Sequence, residues 1–343
     1  MQSKGDELML FNPNQTEFAS DYQRIIWQYG THIVPPEVSL ADVDDPETRE
    51  GCMQIYDCTM EILEDMYRHP EEYNPERPRW YTGDYLTWLV NSNTPIKHHR
   101  ETFSRYLQKI PHFGFSYDQD INAWSNDRYP LFCEYYPRLV SLAKERKQNL
   151  GGYLDRRDFR LFAKRITLSL DDLLRPLSYI DRAYIRELHE YALSKGLKAE
   201  MKDPYTFRYL YKKLYSLTLG NNPAHVRVQY RLDNAKPIMG SFERFLEIAE
   251  SQPDNDALVQ YIKNNIGICD GCRYRAEGRK KSNERCGQWV EIRGARRLSA
   301  VMCTAAISKY HRGKPYIVYT DEDVQMLKRM IDIRIEQIDK YTP

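Results

Sequence analysis

The chain has 343 residues, 41% of them apolar and 29% charged, with 50 Lys and Arg against 49 Asp and Glu. That balance excludes a disordered polyelectrolyte and allows two or three domains with real cores. No run approaches the ~20 apolar residues of a membrane span, and residues 1–7 lack the apolar core of a secretory leader, so the expectation is a soluble, cytoplasmic protein.

In such a compartment the seven cysteines are thiols or metal ligands before they are disulfides. Tyrosine is common, at 27 residues. Its apolar ring and polar tip suit half-buried positions, so most of these are expected to line cores.

The first 150 residues read as helices joined by Pro-rich loops. Helices are predicted around 18–29, 83–90, 96–110 and 137–147. A longer one opens at Asp45-Pro46-Glu47 with a cap, a Pro and an acid. Cys52, Ile55, Tyr56, Ile62, Leu63 and Met66 then recur near helical spacing, and His69-Pro70 ends the run. Residues 75–78, followed by Trp80 and Tyr81, read as surface chain pinned by aromatics. Leu150-Gly151-Gly152 is the predicted boundary, because paired glycines break either periodicity.

The middle section opens with a helix. Ser178 has Asp181 three residues on, a capping box. Ala183, Tyr184, Leu188, Tyr191 and Ala192 continue one face, and Lys195-Gly196 supplies a stop. The period then changes to 2. Residues 206–211, 214–219 and 225–232 read as a three-stranded antiparallel meander. Lys212-Lys213 is its first turn, lacking the Gly or Asn such turns favour, and Asn221-Asn222-Pro223 is its second. Helices follow at 241–250 and 254–265. The last helix is the clearest: Thr320 and Asp323 form a capping box, and Val324, Leu327, Ile331, Ile335 and Ile338 make an apolar stripe.

Between these helices lie four cysteines, Cys269, Cys272, Cys286 and Cys303. Cys269-Asp270-Gly271-Cys272 is a tight C-x-x-C turn that can aim two thiolates at one ion. Residues 289–293 and 296–302 alternate like strands around Gly294-Ala295, which suits a type II′ turn. A hairpin centred between 294 and 295 places Cys286 opposite Cys303, on the face of Val290, Ile292 and Val301, with β-carbons ~4.5–5.5 Å apart. The expectation is a structural zinc on Cys269, Cys272, Cys286 and Cys303, with His311 as a substitute for the last. A closed shell of four thiolates leaves no position open for catalysis. The competing readings are small buried thiols, a cross-strand disulfide and a redox pair. Cys52, Cys58 and Cys133 lie in helical, apolar surroundings and read as packing.

The same segment is strongly basic. Residues 269–314 hold 12 Lys and Arg against four acids, so they carry +8 while the rest of the chain carries −7. Segregated charge speaks to partners and not to fold. Arg273, Arg275, Lys280, Arg293 and Arg296, with Tyr274 and Trp289 among them, are the predicted contacts for nucleic acid or another polyanion, an acidic protein included. The plainer alternative is that these charges solubilise a small lobe or pair with the acidic remainder. Three further possibilities are weak. His98-His99 cannot share a helix face, Glu187, His189 and Glu190 span different faces, and His225 has no nearby nucleophile. No nucleotide-binding, nucleophile-elbow or zinc-protease motif occurs.

The sequence thus predicts a helix-dominated α+β fold: a helical domain at 1–152, an α+β domain with a meander at 153–268, and a basic four-cysteine lobe with a long final helix at 269–343. The expected function is a binding or adaptor protein that contacts polyanions through the basic lobe. The alternatives are an enzyme with a pocket between the helical and α+β halves, or a scaffold whose zinc lobe staples the C-terminus.

Overall fold

A computed structural model describes residues 10–15, 17–73, 106, 108–121, 123–145, 156–164, 166, 168–203, 206–222, 225–230, 241–265, 288–299, 307–308 and 319–341. The fold is α+β with helices dominant. The chain divides into two compact units: Met1–Ser169 with Arg175–Ser178, and Leu170–Leu174 with Tyr179–Pro343.

The first unit contains α1 (Asp21–His32), α2 (Pro36–Ser39), α3 (Pro46–Arg68), a hairpin of β1 (Phe115–Asp118) and β2 (Ala123–Asn126), and α4 (Phe132–Glu145). Ser20 caps α1, its hydroxyl accepting from Gln23 N at 3.1 Å, so the helix opens later than its apolar pattern does. Asp45 caps α3 by accepting from Thr48 N at 2.8 Å. Cys52, Ile55, Cys58, Ile62, Leu63 and Met66 form the buried stripe of α3. Gly51 lets α3 approach α4, since a β-carbon there would collide with the Tyr135 ring.

Two expectations for this unit need correction. Helix α4 starts at Phe132 and carries Pro137 inside it, whereas Pro137 was the predicted start. Burial of Phe132, Tyr135 and Tyr136 outweighs the hydrogen bond that proline forgoes. The unit is also not purely helical. Ile110–Phe113 forms a 3₁₀ turn, Gly114 takes φ +86°, and β1 follows at once. Asn126 locks this corner: its amide donates to Phe113 O at 3.1 Å, and its oxygen accepts from Arg128 N and Tyr129 N. Two four-residue strands offer too little alternation to announce themselves. The predicted helix at 83–90, and nearly all of that at 96–110, lie outside the described residues.

The second unit holds α5 (Leu170–Leu174), α6 (Tyr179–Ser194), β3 (Lys198–Asp203), β4 (Thr206–Tyr211), β5 (Leu214–Asn222), β6 (His225–Tyr230), α7 (Ser241–Ser251), α8 (Asn255–Asn265), β7 (Gln288–Ile292), β8 (Ala295–Ser299), β9 (Ile307–Ser308) and α9 (Asp321–Tyr341). Gly196, at φ +81°, stops α6 by donating to Leu193 O while Leu197 N donates to Ala192 O.

The expected meander is β4-β5-β6, antiparallel throughout. It belongs to a larger sheet of order β3-β4-β5-β6-β9, whose first and last strands were not foreseen. Phe207, Tyr209, Leu217 and Leu219 share its buried face. Helix α9 is capped reciprocally: Thr320 donates to the Asp323 carboxylate at 2.8 Å, and Asp323 N donates to Thr320 Oγ1 at 3.2 Å. Val324, Leu327, Ile331 and Ile338 are buried as the stripe requires, with Ile335 half-buried.

Candidate functional site

The basic segment was the sequence's strongest functional lead, and β7-β8, with the two residues of β9, is the part of it that is described. The two strands pair antiparallel, with Gln288 opposite Ser299 and Ile292 opposite Ala295. The turn is therefore Arg293-Gly294, with φ +47° and +71°. Two left-handed residues make a type I′ turn, which matches the twist of the flanking strands. The predicted turn, Gly294-Ala295, is one residue off. That error displaces every cross-strand pair by two, so Val290 faces Arg297 and not Ser299. A pairing of Cys286 with Cys303 required the other register, and the register of β7-β8 does not support it. Cys269, Cys272, Cys286 and Cys303, with Arg273, Arg275, Lys280 and His311, lie outside the described residues.

The turn end of the hairpin is anchored. Ile292 is fully buried. The Arg293 guanidinium forms an ion pair with Asp256, in the first turn of α8. The Asp256 side chain is 88% exposed and that of Arg293 34% exposed. An expected partner contact is thus engaged by a carboxylate of the chain itself. Arg296 lies on β8, opposite Glu291.

Polar groups concentrate elsewhere too. In the first unit, Arg156, Arg157, Asp158 and Arg160 are all buried. Asp158 caps the 3₁₀ turn Phe159–Phe162 and accepts twice from Arg160, at 2.8 Å from Nε and 2.8 Å from a terminal nitrogen. Arg157, at φ +51°, donates from Nε to Thr59 Oγ1 at 3.1 Å and lies over the Tyr136 ring. Arg156 offers its carbonyl to Val34 N. Nothing in the spacing of this charged run announces its burial.

In the second unit, His189 Nδ1 lies 2.6 Å from Tyr209 Oη, and its ring meets Phe207 edge-on. Burial holds this imidazole below its ordinary range; Glu190 opposes the effect and Arg186 adds to it. Tyr209 is fully buried, and with Nδ1 unprotonated its hydroxyl has an acceptor there. The period-based reading dismissed His189 for lack of neighbours on its own helix, and its partner comes from the sheet.

Among the described residues, one set of metal-capable side chains converges: His69, Glu71 and Glu72, with ligand atoms within 4.8 Å of one another. All three are exposed, and the Lys109 ammonium already bonds Glu72. Cys52, Cys58 and Cys133 are packing residues as expected: burial pushes the Cys52 thiol up to about 12, raises that of Cys58 and takes Cys133 to about 11. Such thiols are inert at neutral pH. No helix among the described residues is long and apolar enough to cross a membrane. No family model, curated protein or solved structure matches this chain.

Proposed function

We propose that this chain is a binding or adaptor protein whose basic C-terminal segment contacts nucleic acid or another polyanion. The observation that carries the reading is charge segregation: residues 269–314 hold +8 against −7 for the remainder. A field of that kind draws phosphate backbones and releases their counterions. Arg273, Arg275, Lys280, Arg293 and Arg296 are the contacts on this reading. A structural zinc on Cys269, Cys272, Cys286 and Cys303 belongs to the same proposal, and it now rests on the C-x-x-C spacing alone.

The test is binding of a fluorescent single-stranded oligonucleotide to the full chain. Binding at low salt is expected, with affinity falling steeply as salt rises. Changing Arg273, Arg275, Lys280 and Arg296 together to Glu should abolish it. A wild type that does not bind at low salt overturns the reading. Elemental analysis of chelator-free protein should find about one zinc per chain, as a closed four-thiolate site holds one ion, and well under that removes the metal.

The Arg293–Asp256 pair favours a second reading, in which the basic charge docks the hairpin onto acidic surface of its own unit. On that reading Arg293→Glu loses stability and the wild type binds no oligonucleotide.

A further inference from the structure

The anchored turn poses a question of competition. Arg293 occupies a left-handed position that a β-carbon disfavours, with Gly294 supplying the other half of the turn. Buried Ile292 holds the tip in place, so the guanidinium at residue 293 is presented at one spot. What it meets there is the carboxylate of Asp256, itself almost wholly in water.

A guanidinium binds carboxylate and phosphate through the same planar fork. An exposed pair is weak, because water and salt screen it. It therefore holds the arginine without committing it, and a phosphate arriving with the field of the whole basic segment can take the carboxylate's place. Asp256 is also the acid of the first turn of α8, where the helix terminus stabilises a negative charge after the arginine leaves.

We infer that Asp256 is an internal competitor for Arg293: a carboxylate of this chain that occupies the hairpin-tip arginine until a polyanionic phosphate displaces it. The inference rests on the polyanion reading above and adds a regulatory contact to it. Removing the carboxylate charge should tighten polyanion binding, and the gain should require Arg293.

The experiment measures oligonucleotide binding by the full chain at low and moderate salt, for wild type, Asp256→Asn, Arg293→Ala and the double variant. Asp254→Asn is the control, since it removes one exposed charge two residues away that does not pair with Arg293. Asp256→Asn should bind about 2–5-fold more tightly, the span of an exposed ion pair. In the Arg293→Ala background the gain should shrink to that of Asp254→Asn. Equal gains from Asp256→Asn and Asp254→Asn, or an undiminished gain without Arg293, overturn the internal competitor while leaving polyanion binding intact. Absence of binding by the wild type overturns the polyanion reading itself.

Discussion

Left-handed backbone at residues with side chains marks where this fold stores strain. Lys212 and Lys213 take φ +47° and +67° in the β4-β5 turn. Lys212 has a compensation, since its ammonium pairs with Asp339 at 2.8 Å. Among the described residues, no hydrogen bond or ion pair holds the exposed Lys213 side chain in this turn. Replacing Lys213 with Gly should remove the steric cost and raise stability by about 1 kcal/mol, read as a shift in the urea midpoint at unchanged slope. A destabilised variant would show that the lysine contributes more than its backbone costs. The turn was legible in the sequence by its position between two alternating runs. Its type was not, because neither residue favours positive φ.

Buried charge gives a second prediction at this scale. Asp158 grips Arg160 through two bonds with both side chains nearly inaccessible. Asp158→Ala should cost about 3–5 kcal/mol, the typical loss when one partner of a buried pair is removed. Glu134→Ala, which removes a solvent-exposed pair with Arg138, should change stability by no more than about 0.5 kcal/mol. Chemical denaturation of both variants makes the comparison, and a similar small loss in each would mean that Asp158 is not a structural carboxylate.

At the level of elements, the contact between α6 and the sheet is expected to respond to pH. Burial lowers the His189 pKa in the folded state relative to 6.5. Between the folded value and 6.5 the unfolded chain therefore binds more protons, and stability rises with pH. The contribution is present in full above pH 6.5 and is lost as pH falls from there through the folded value. Protonation also turns Nδ1 into a donor, so Tyr209 can then meet it only as an acceptor. Unfolding midpoints measured from pH 5 to 8 should show this slope, and His189→Gln should flatten it. An unchanged slope in the variant would assign the dependence to other groups.

The elements differ in how openly their sequences declare them. Helices α3 and α9 are readable from caps and stripes, because both depend on residues within one or two turns of each other. The meander is readable because three period-2 runs are joined by short turns. Strand β3 is not, since Lys198–Asp203 is a charged edge strand whose pairing with β4 defines it. Strand β9 has two residues and no pattern at all.

For the whole molecule, composition and charge speak most clearly about partners, and function follows from them only through experiment. The +8 segment motivates the polyanion reading, and the hairpin sets one of its arginines, Arg293, against a carboxylate of the chain. By the sequence, Arg293 flanks the predicted Gly294-Ala295 turn, a place where side chains are hard to bury. It is half-exposed and yet engaged, since Asp256, far away in the chain, comes to the same place. The candidate site was thus legible as a charge distribution and illegible as a set of free groups.

By itself the sequence determined the helix-dominated α+β class, the meander, the capping of the longest helices and the surplus of positive charge near the C-terminus. These are set by neighbours within a few positions or by simple counting. Only the tertiary structure decided the rest. It buried Arg156, Arg157, Asp158 and Arg160, set His189 against Tyr209, placed the hairpin turn at Arg293-Gly294 and gave Arg293 its carboxylate. Each of those outcomes depends on which distant segments pack together, and the burial and pairing of a polar group are properties of that packing and not of the residue.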